Sequence, residues 1–185
     1  MSKTTDRTKQ WLINGFFTKL KTKPYDKITI NDITAQANVS RRTFYRLFNH
    51  KEELLDEYCD AIFAEYFAFL RSTFTDQLTF DQMLLNLFTF WYQKRDKVTV
   101  LIQNNLFLPL TLKRREQRRA DTLKAYRKFD VAWHGEVNQQ EAQYIMDFFL
   151  GGYWNLISNW LAKETPDDPT VIAKTLGEAL QRLNE

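Results

Sequence analysis

Apolar residues recur along this chain at three- and four-residue intervals, and no stretch alternates as a strand would. Ile13, Phe16, Phe17 and Leu20 form one stripe with Lys9, Lys19 and Lys21 on the other side, which predicts a helix from Asp6 to Lys21 after a loose arm at residues 1–5. Pro24 then forces a turn. Ile30, Ile33, Thr34 and Ala37 make a narrow second stripe, and Phe44, Leu47 and Phe48 a third. Leu54, Leu55, Tyr58, Ile62, Tyr66 and Phe69 run down a long helix from Lys51 to about Ser72. Further helices are predicted over Phe80–Lys94, capped by Thr79; over Lys97–Phe107, stopping before Pro109; and over Thr111–Trp133, ending near Gly135. Two more cover Asn138–Lys163, with Asn138 and Glu141 as a cap pair, and Thr170–Leu183. The expected fold is all-α, with about nine helices and no internal repeat.

The local signals are densest between residues 29 and 53. Thr29 followed by Asp32 is a capping pair, and it starts a short helix. Asn38 ends that helix, because Asn tolerates the left-handed conformation a sharp turn needs, and Ser40 caps the next. In that next helix Phe44, Leu47 and Phe48 face inward. Arg42, Tyr45 and Arg46 lie opposite, flanked by Arg41 and Thr43. Such a face suits a major groove, since guanidinium forks match the acceptors of guanine and hydroxyls reach phosphates. Two short helices joined by a tight turn make a helix-turn-helix, with residues 41–48 as recognition helix.

The run Thr29-Ile-x-Asp-Ile-x-x-x-Ala-x-Val-Ser-Arg-x-Thr-Phe-Tyr-x-x-Phe-x-x-Lys-Glu-x-Leu54 resembles the DNA-binding domain of the tetracycline-repressor family of bacterial transcription regulators. Two positions depart from it. Asn38 stands where the family usually has glycine, and His50 where relatives favour a small capping residue, so the next cap is expected at Asn49. The resemblance implies a three-helix head over residues 1–50 and a helical ligand-binding and dimerisation body over residues 51–185. It implies a homodimer on double-stranded DNA, with Arg41 and Arg42 reading bases and Thr43, Tyr45, Lys51 and Thr29 holding phosphates, beside Ser40 and Arg46.

Charge agrees with a nucleic-acid-binding head. The 185 residues carry a net +3, but residues 1–51 hold eleven Lys/Arg against three Asp, net +8, leaving fifteen against twenty acids, net −5, for the remainder. The second basic run, Lys113–Arg119, lacks caps and aromatic partners and reads as a solvated helix start. A single cysteine, Cys59, forbids an internal disulfide and reads as a small buried hydrophobe. His134 reads as a helix-end cation or a solvent-facing group and not as a ligand contact. No metal-ligand spacing, phosphate-binding glycine loop or nucleophile elbow is present, so neither a metal, a cofactor nor an enzyme is expected. The polar N-terminus and the lack of a long apolar run point to the cytoplasm, with no membrane partner.

Aromatics are 15% of the chain. Phe88, Trp91, Tyr92, Phe107, Phe148 and Trp154 are candidates to line an effector pocket, although at helical spacing each also suits plain core. The segment Phe148-x-x-Gly-Gly-x-x-x-Leu-Ile-x-x-Trp160 resembles the C-terminal region of one branch of the same family, where the last two helices form the dimer. The dimer candidates are therefore Gly151, Gly152, Leu156, Trp160, Leu176 and Leu180. The function expected is a repressor released from a palindromic operator by an effector in the body. The alternative is a regulator, even an activator, whose body answers to a protein partner.

Overall fold

The computed structural model describes residues 3–73, 78–117 and 138–182, and every regular element among them is helical. In chain order these are α1 (Lys3–Leu20), α2 (Ile30–Ala37), α3 (Arg41–Leu47), α4 (Lys51–Thr73), α5 (Phe80–Gln93), α6 (Arg95–Gln103), α7 (Phe107–Gln117), α8 (Gln139–Leu161) and α9 (Pro169–Arg182). A 3₁₀ turn occupies Tyr25–Lys27. Most of the arm expected at residues 1–5 is helical, since α1 begins at Lys3, with Asp6 in its first turn to complement the helix dipole.

The chain divides into two compact units, Met1–Glu65 and Tyr66–Glu185. The division falls inside α4, where the sequence suggested its start, because the first turns of α4 are part of the head. Leu54 and Leu55 are buried, the Tyr58 ring meets Phe17 edge-on at 4.6 Å, and Glu57 takes the Lys9 ammonium at 2.8 Å. Leu12, Phe16, Ile33, Phe44 and Leu54 are fully buried in this unit, each stabilising it by about 1.5–3 kcal/mol. Gly15 lets α1 and α2 cross closely: a Cβ there would lie 3.0 Å from the Ile33 carbonyl oxygen and 3.2 Å from the Ala37 Cβ.

In the second unit, α5 opens on a capping box between Thr79 and Gln82, and α8 on one between Asn138 and Glu141. The helix expected over 97–107 differs. It runs as α6 from Arg95 to Gln103 and stops at Asn105, which takes φ 56° while the Leu106 N–H donates to the Leu101 carbonyl at 2.8 Å. Pro109 is not beyond a helix end. It sits in the first turn of α7, where its missing N–H costs nothing because that amide has no intrahelical acceptor. The rest of the helix expected to Trp133, with Arg118, Arg119, Trp133, His134 and Gly135, lies outside the described residues.

Helix α9 lays Ala173 and Gly177 against α5, and a Cβ on Gly177 would meet the Asp81 carboxylate oxygen at 2.8 Å. Helix α8 packs on α5, α6 and α7. Among the described residues, no helix is long and apolar enough to cross a membrane, and no three His, Cys, Asp or Glu side chains gather as a metal site would need. Cys59 is buried.

Candidate nucleic-acid interface

The start of α2 is a closed hydrogen-bonded cluster. The Asp32 carboxylate accepts from the Thr29 N–H at 2.8 Å, the Thr29 hydroxyl at 2.8 Å and the Lys23 ammonium at 2.7 Å, while the Asp32 N–H donates to the Thr29 hydroxyl oxygen at 3.1 Å. Lys23 first, then the two Thr29 bonds, hold the Asp32 carboxyl well below the usual carboxylate range. The capping pair read from sequence is therefore present, with Lys23 as a third member that helical spacing could not reveal. One consequence is chemical. The Thr29 hydroxyl proton is committed to Asp32, so this helix end presents the amides of Ile30 and Asn31, which have no intrahelical acceptor.

Asn38 closes α2 in the left-handed conformation, φ 53° and ψ 45°, and the Val39 N–H donates to the Thr34 carbonyl at 3.0 Å. Ser40 caps α3 through the Thr43 N–H at 3.1 Å, and the Ser40 and Thr43 hydroxyls share a bond at 2.9 Å. Both hydroxyls thus serve the turn first. Behind the helix, Phe44 and Phe48 are buried with ring centroids 5.7 Å apart. In front, Arg41, Arg42, Tyr45 and Arg46 are all exposed. The Tyr45 ring stands edge-on against Phe44 at 5.7 Å, and the Arg41 guanidinium lies over it at 5.9 Å. The Arg41 guanidinium thus rests on an aromatic base, beside the exposed Arg42 and Arg46.

Lys51 is placed differently from the other expected contacts. Its ammonium is half-buried and donates to the carbonyls of Tyr25 at 2.7 Å and Ile28 at 3.0 Å, over the Tyr25 ring at 4.4 Å. Asn49 does tie down the start of α4, but by donating: its N–H and its side-chain amide both go to Glu53, at 2.7 and 2.8 Å. One exposed aromatic outside the helical stripes also belongs to the head. Trp11 lies under the Arg7 guanidinium at 4.9 Å and lines an open depression with Asn14, Thr18, Gln36 and Asn38.

In the second unit the residues proposed for a pocket and for a dimer are regrouped. Trp91, Phe107 and Trp154 form one cluster with Tyr66, with centroids 5.1–6.1 Å apart. Phe88 and Tyr92 instead meet Trp160, at 5.3 and 5.8 Å. Trp160 is 1% exposed, and its indole N–H donates to the Asp167 carbonyl at 3.0 Å. It is core of its own chain, not a surface for a second one. Phe148 is the reverse, 79% exposed, with its ring edge-on to Phe149 at 5.8 Å.

Helix geometry gives the reason for both corrections. Trp160 lies half a turn around α8 from Gly151, whereas Tyr144, Phe148, Gly151, Gly152, Asn155 and Asn159 share the exposed stripe. Nothing lies within 4 Å of a Cβ built on either glycine. Leu156, Leu176 and Leu180 are half-buried. Two residues not singled out for the body's chemistry, Tyr66 and Tyr153, bring their hydroxyls to 3.5 Å inside the aromatic cluster. Burial pushes the Tyr66 phenol up to about 12 and that of Tyr153 well above its ordinary value, so both remain neutral donors.

Residues 20–58 match the family model for bacterial regulatory proteins of the tetR family, and residues 79–182 match one for a transcriptional regulator C-terminal region. No curated protein matches the chain. Among solved structures it is similar to a TetR transcriptional regulator from Streptococcus agalactiae 2603V, at 23% identity over 94% of this chain and 93% of that one, with a TM-score of 0.65. It is also similar to the dihydroxyacetone kinase operon activator DhaS, at 16% identity over 95% of each chain, with a TM-score of 0.57. At these identities the likeness is one of fold.

Proposed function

The chain belongs to the TetR family of bacterial regulatory proteins, which are transcription regulators and not enzymes, and on that premise we propose that it is a cytoplasmic homodimeric repressor released from a palindromic operator by an effector. The observation that carries the DNA-binding part is the exposed row of Arg41, Arg42, Tyr45 and Arg46 on a helix capped by Ser40 and backed by buried Phe44. Arg41 and Arg42 read bases, Arg46 and the open amides at the start of α2 hold phosphates, and each subunit enters one of two successive major grooves.

The homodimer reading rests on the exposed stripe of α8. Two glycines in a helix each cost up to about 1 kcal/mol relative to alanine, and bare backbone between Tyr144 and Phe148 on one side and Asn155 on the other suits a second helix crossing closely. The effector reading rests on the Tyr66–Tyr153 hydroxyl pair within the aromatic cluster, a polar group in apolar surroundings that suits an apolar ligand with a polar atom. Effector binding then favours an orientation of α4 that misplaces the heads, and by reciprocity DNA weakens the effector by the same factor. A second reading, a body that answers to a protein partner, is favoured by how tightly Phe88, Trp91, Phe107 and Trp154 are buried. The similar fold named an operon activator leaves the sign of regulation to operator position.

Footprinting on the DNA flanking the protein's own gene, across a salt series, tests the central claim. The expected result is a two-fold protected site whose affinity falls about a thousandfold between 50 and 200 mM salt. Weak binding indifferent to sequence would overturn it.

A further inference from the structure

We propose that Lys51 is a positioning residue that fixes where the N-terminus of α2 meets DNA, and not itself a phosphate contact; the proposal rests on the DNA-binding reading above. A lysine ammonium has three N–H donors. Two of these are spent on the Tyr25 and Ile28 carbonyls, at 2.7 and 3.0 Å, and the Tyr25 ring covers the group at 4.4 Å. A head group so occupied keeps one N–H, and its reach is set by the turn that holds it and not by a phosphate.

What it holds is the chain segment leading into α2. The Tyr25 carbonyl already accepts the Ile28 N–H at 3.2 Å, closing the 3₁₀ turn, so Lys51 caps that turn from outside. Tyr25 is gripped a second time, its phenol donating to Glu52 at 3.0 Å, and its ring stands edge-on to buried Phe16 at 6.1 Å. Burial first, and Glu52 second, push the phenol's pKa up, so its hydroxyl keeps its proton. Ile28 is buried and directly precedes Thr29, the cap of α2, while Lys23 grips the same helix end through Asp32. The first two residues of α4 and the first turn of α2 therefore move as one piece. A shift in the start of α4 reaches Thr29 through a single intervening residue, Ile28, without passing through α3.

The test uses full-length protein and an operator recovered by selection from random DNA, with affinity, salt slope and phosphate-ethylation interference measured together. Lys51→Met is expected to weaken binding about tenfold, the scale of a lost charged hydrogen bond, with the slope of log affinity against log salt unchanged. Interference is expected to vanish at the phosphate facing the start of α2 and to persist at those facing α3. Lys51→Arg, which keeps charge and donors, restores that phosphate. Glu52→Ala, on an exposed side chain, weakens the same phosphate to a smaller degree and carries the test should Lys51→Met not fold. A slope that drops by about 0.9, the signature of one lost cationic phosphate contact, with the α2 phosphate intact, overturns the proposal alone. So does unchanged interference. A wild-type protein that selects no operator removes the DNA-binding reading, and this inference with it.

Discussion

Among the described residues, the head and the body each present an exposed helical face, on α3 and on α8, and the two faces have opposite chemistry. On α3 the open side is three arginines and a tyrosine above a buried Phe44–Phe48 pair. On α8 it is Tyr144, Phe148 and two glycines, opposite the buried Met146, Trp154, Ile157 and Trp160. Solvated guanidinium groups cost little to leave in water, so the first face is stable alone and waits for a polyanion. Exposed rings flanking bare backbone gain nothing from water, and the dimer proposed above would cover that face. Uncovered faces on helices of similar pattern thus call for different partners, and chemistry rather than exposure separates them.

The comparison breaks most sharply at α3. Arg41→Ala with Arg42→Ala is expected to cost about 2–6 kcal/mol in operator binding if each fork reads one base, with no change in thermal midpoint because both side chains are exposed. Gel-shift titration beside thermal unfolding reads both numbers. Unaltered affinity would reduce the arginine row to a solvated face.

A pair of variants on α8 sharpens it next. Trp160→Ala is expected to lose about 3–5 kcal/mol of stability, since the ring is buried and its N–H is bonded to Asp167. Phe148→Ala should leave the monomer's stability within about 0.5 kcal/mol and weaken the dimer by about 2 kcal/mol. Denaturant unfolding and sedimentation velocity separate the two outcomes. A stable monomer after Trp160→Ala, or an unaffected dimer after Phe148→Ala, would reverse the assignment of faces.

The smallest effect lies at the start of α2. Thr29→Ala is expected to cost about 1 kcal/mol as a lost cap. Asp32 adds a pH dependence of defined sign. Its folded pKa is depressed by Lys23 and Thr29, so the stability it contributes is present above the unfolded value of about 3.9 and is lost as pH falls through the lower folded value. Wild type and Asp32→Asn should therefore differ in midpoint at neutral pH and converge in strong acid. A gap that stays constant down to about pH 2 would remove the ion pair from the account.

Some of this molecule was legible because its causes are local. The boxes at Thr29–Asp32, Thr79–Gln82 and Asn138–Glu141 join residues three apart, and the left-handed Asn38 needs only its own backbone, so a short window of sequence contains everything that forms them. Asn105 repeats the Asn38 motif, down to the bond from the residue after it to a carbonyl five back. It too has a local cause, but Pro109 four residues on is an equally local signal for a helix end, and a window of sequence does not rank the two. Lys51 was not readable in the same way, because a lysine before a helix of acids looks alike whether its ammonium meets a phosphate or carbonyls more than twenty residues earlier.

The sequence by itself therefore determined the helical class, the three capping boxes and the basic face of α3, each an effect of neighbours within one or two turns. Tertiary structure alone decided the faces of α8. Both sides of that helix carry aromatics, so periodicity says which residues stand together but not which side is inside. That choice is made by α5, α6 and α7, which cover Trp154 and Trp160 and leave Phe148 in water. The pattern repeats every 3.6 residues regardless of where the core lies; only the packed neighbours fix the direction.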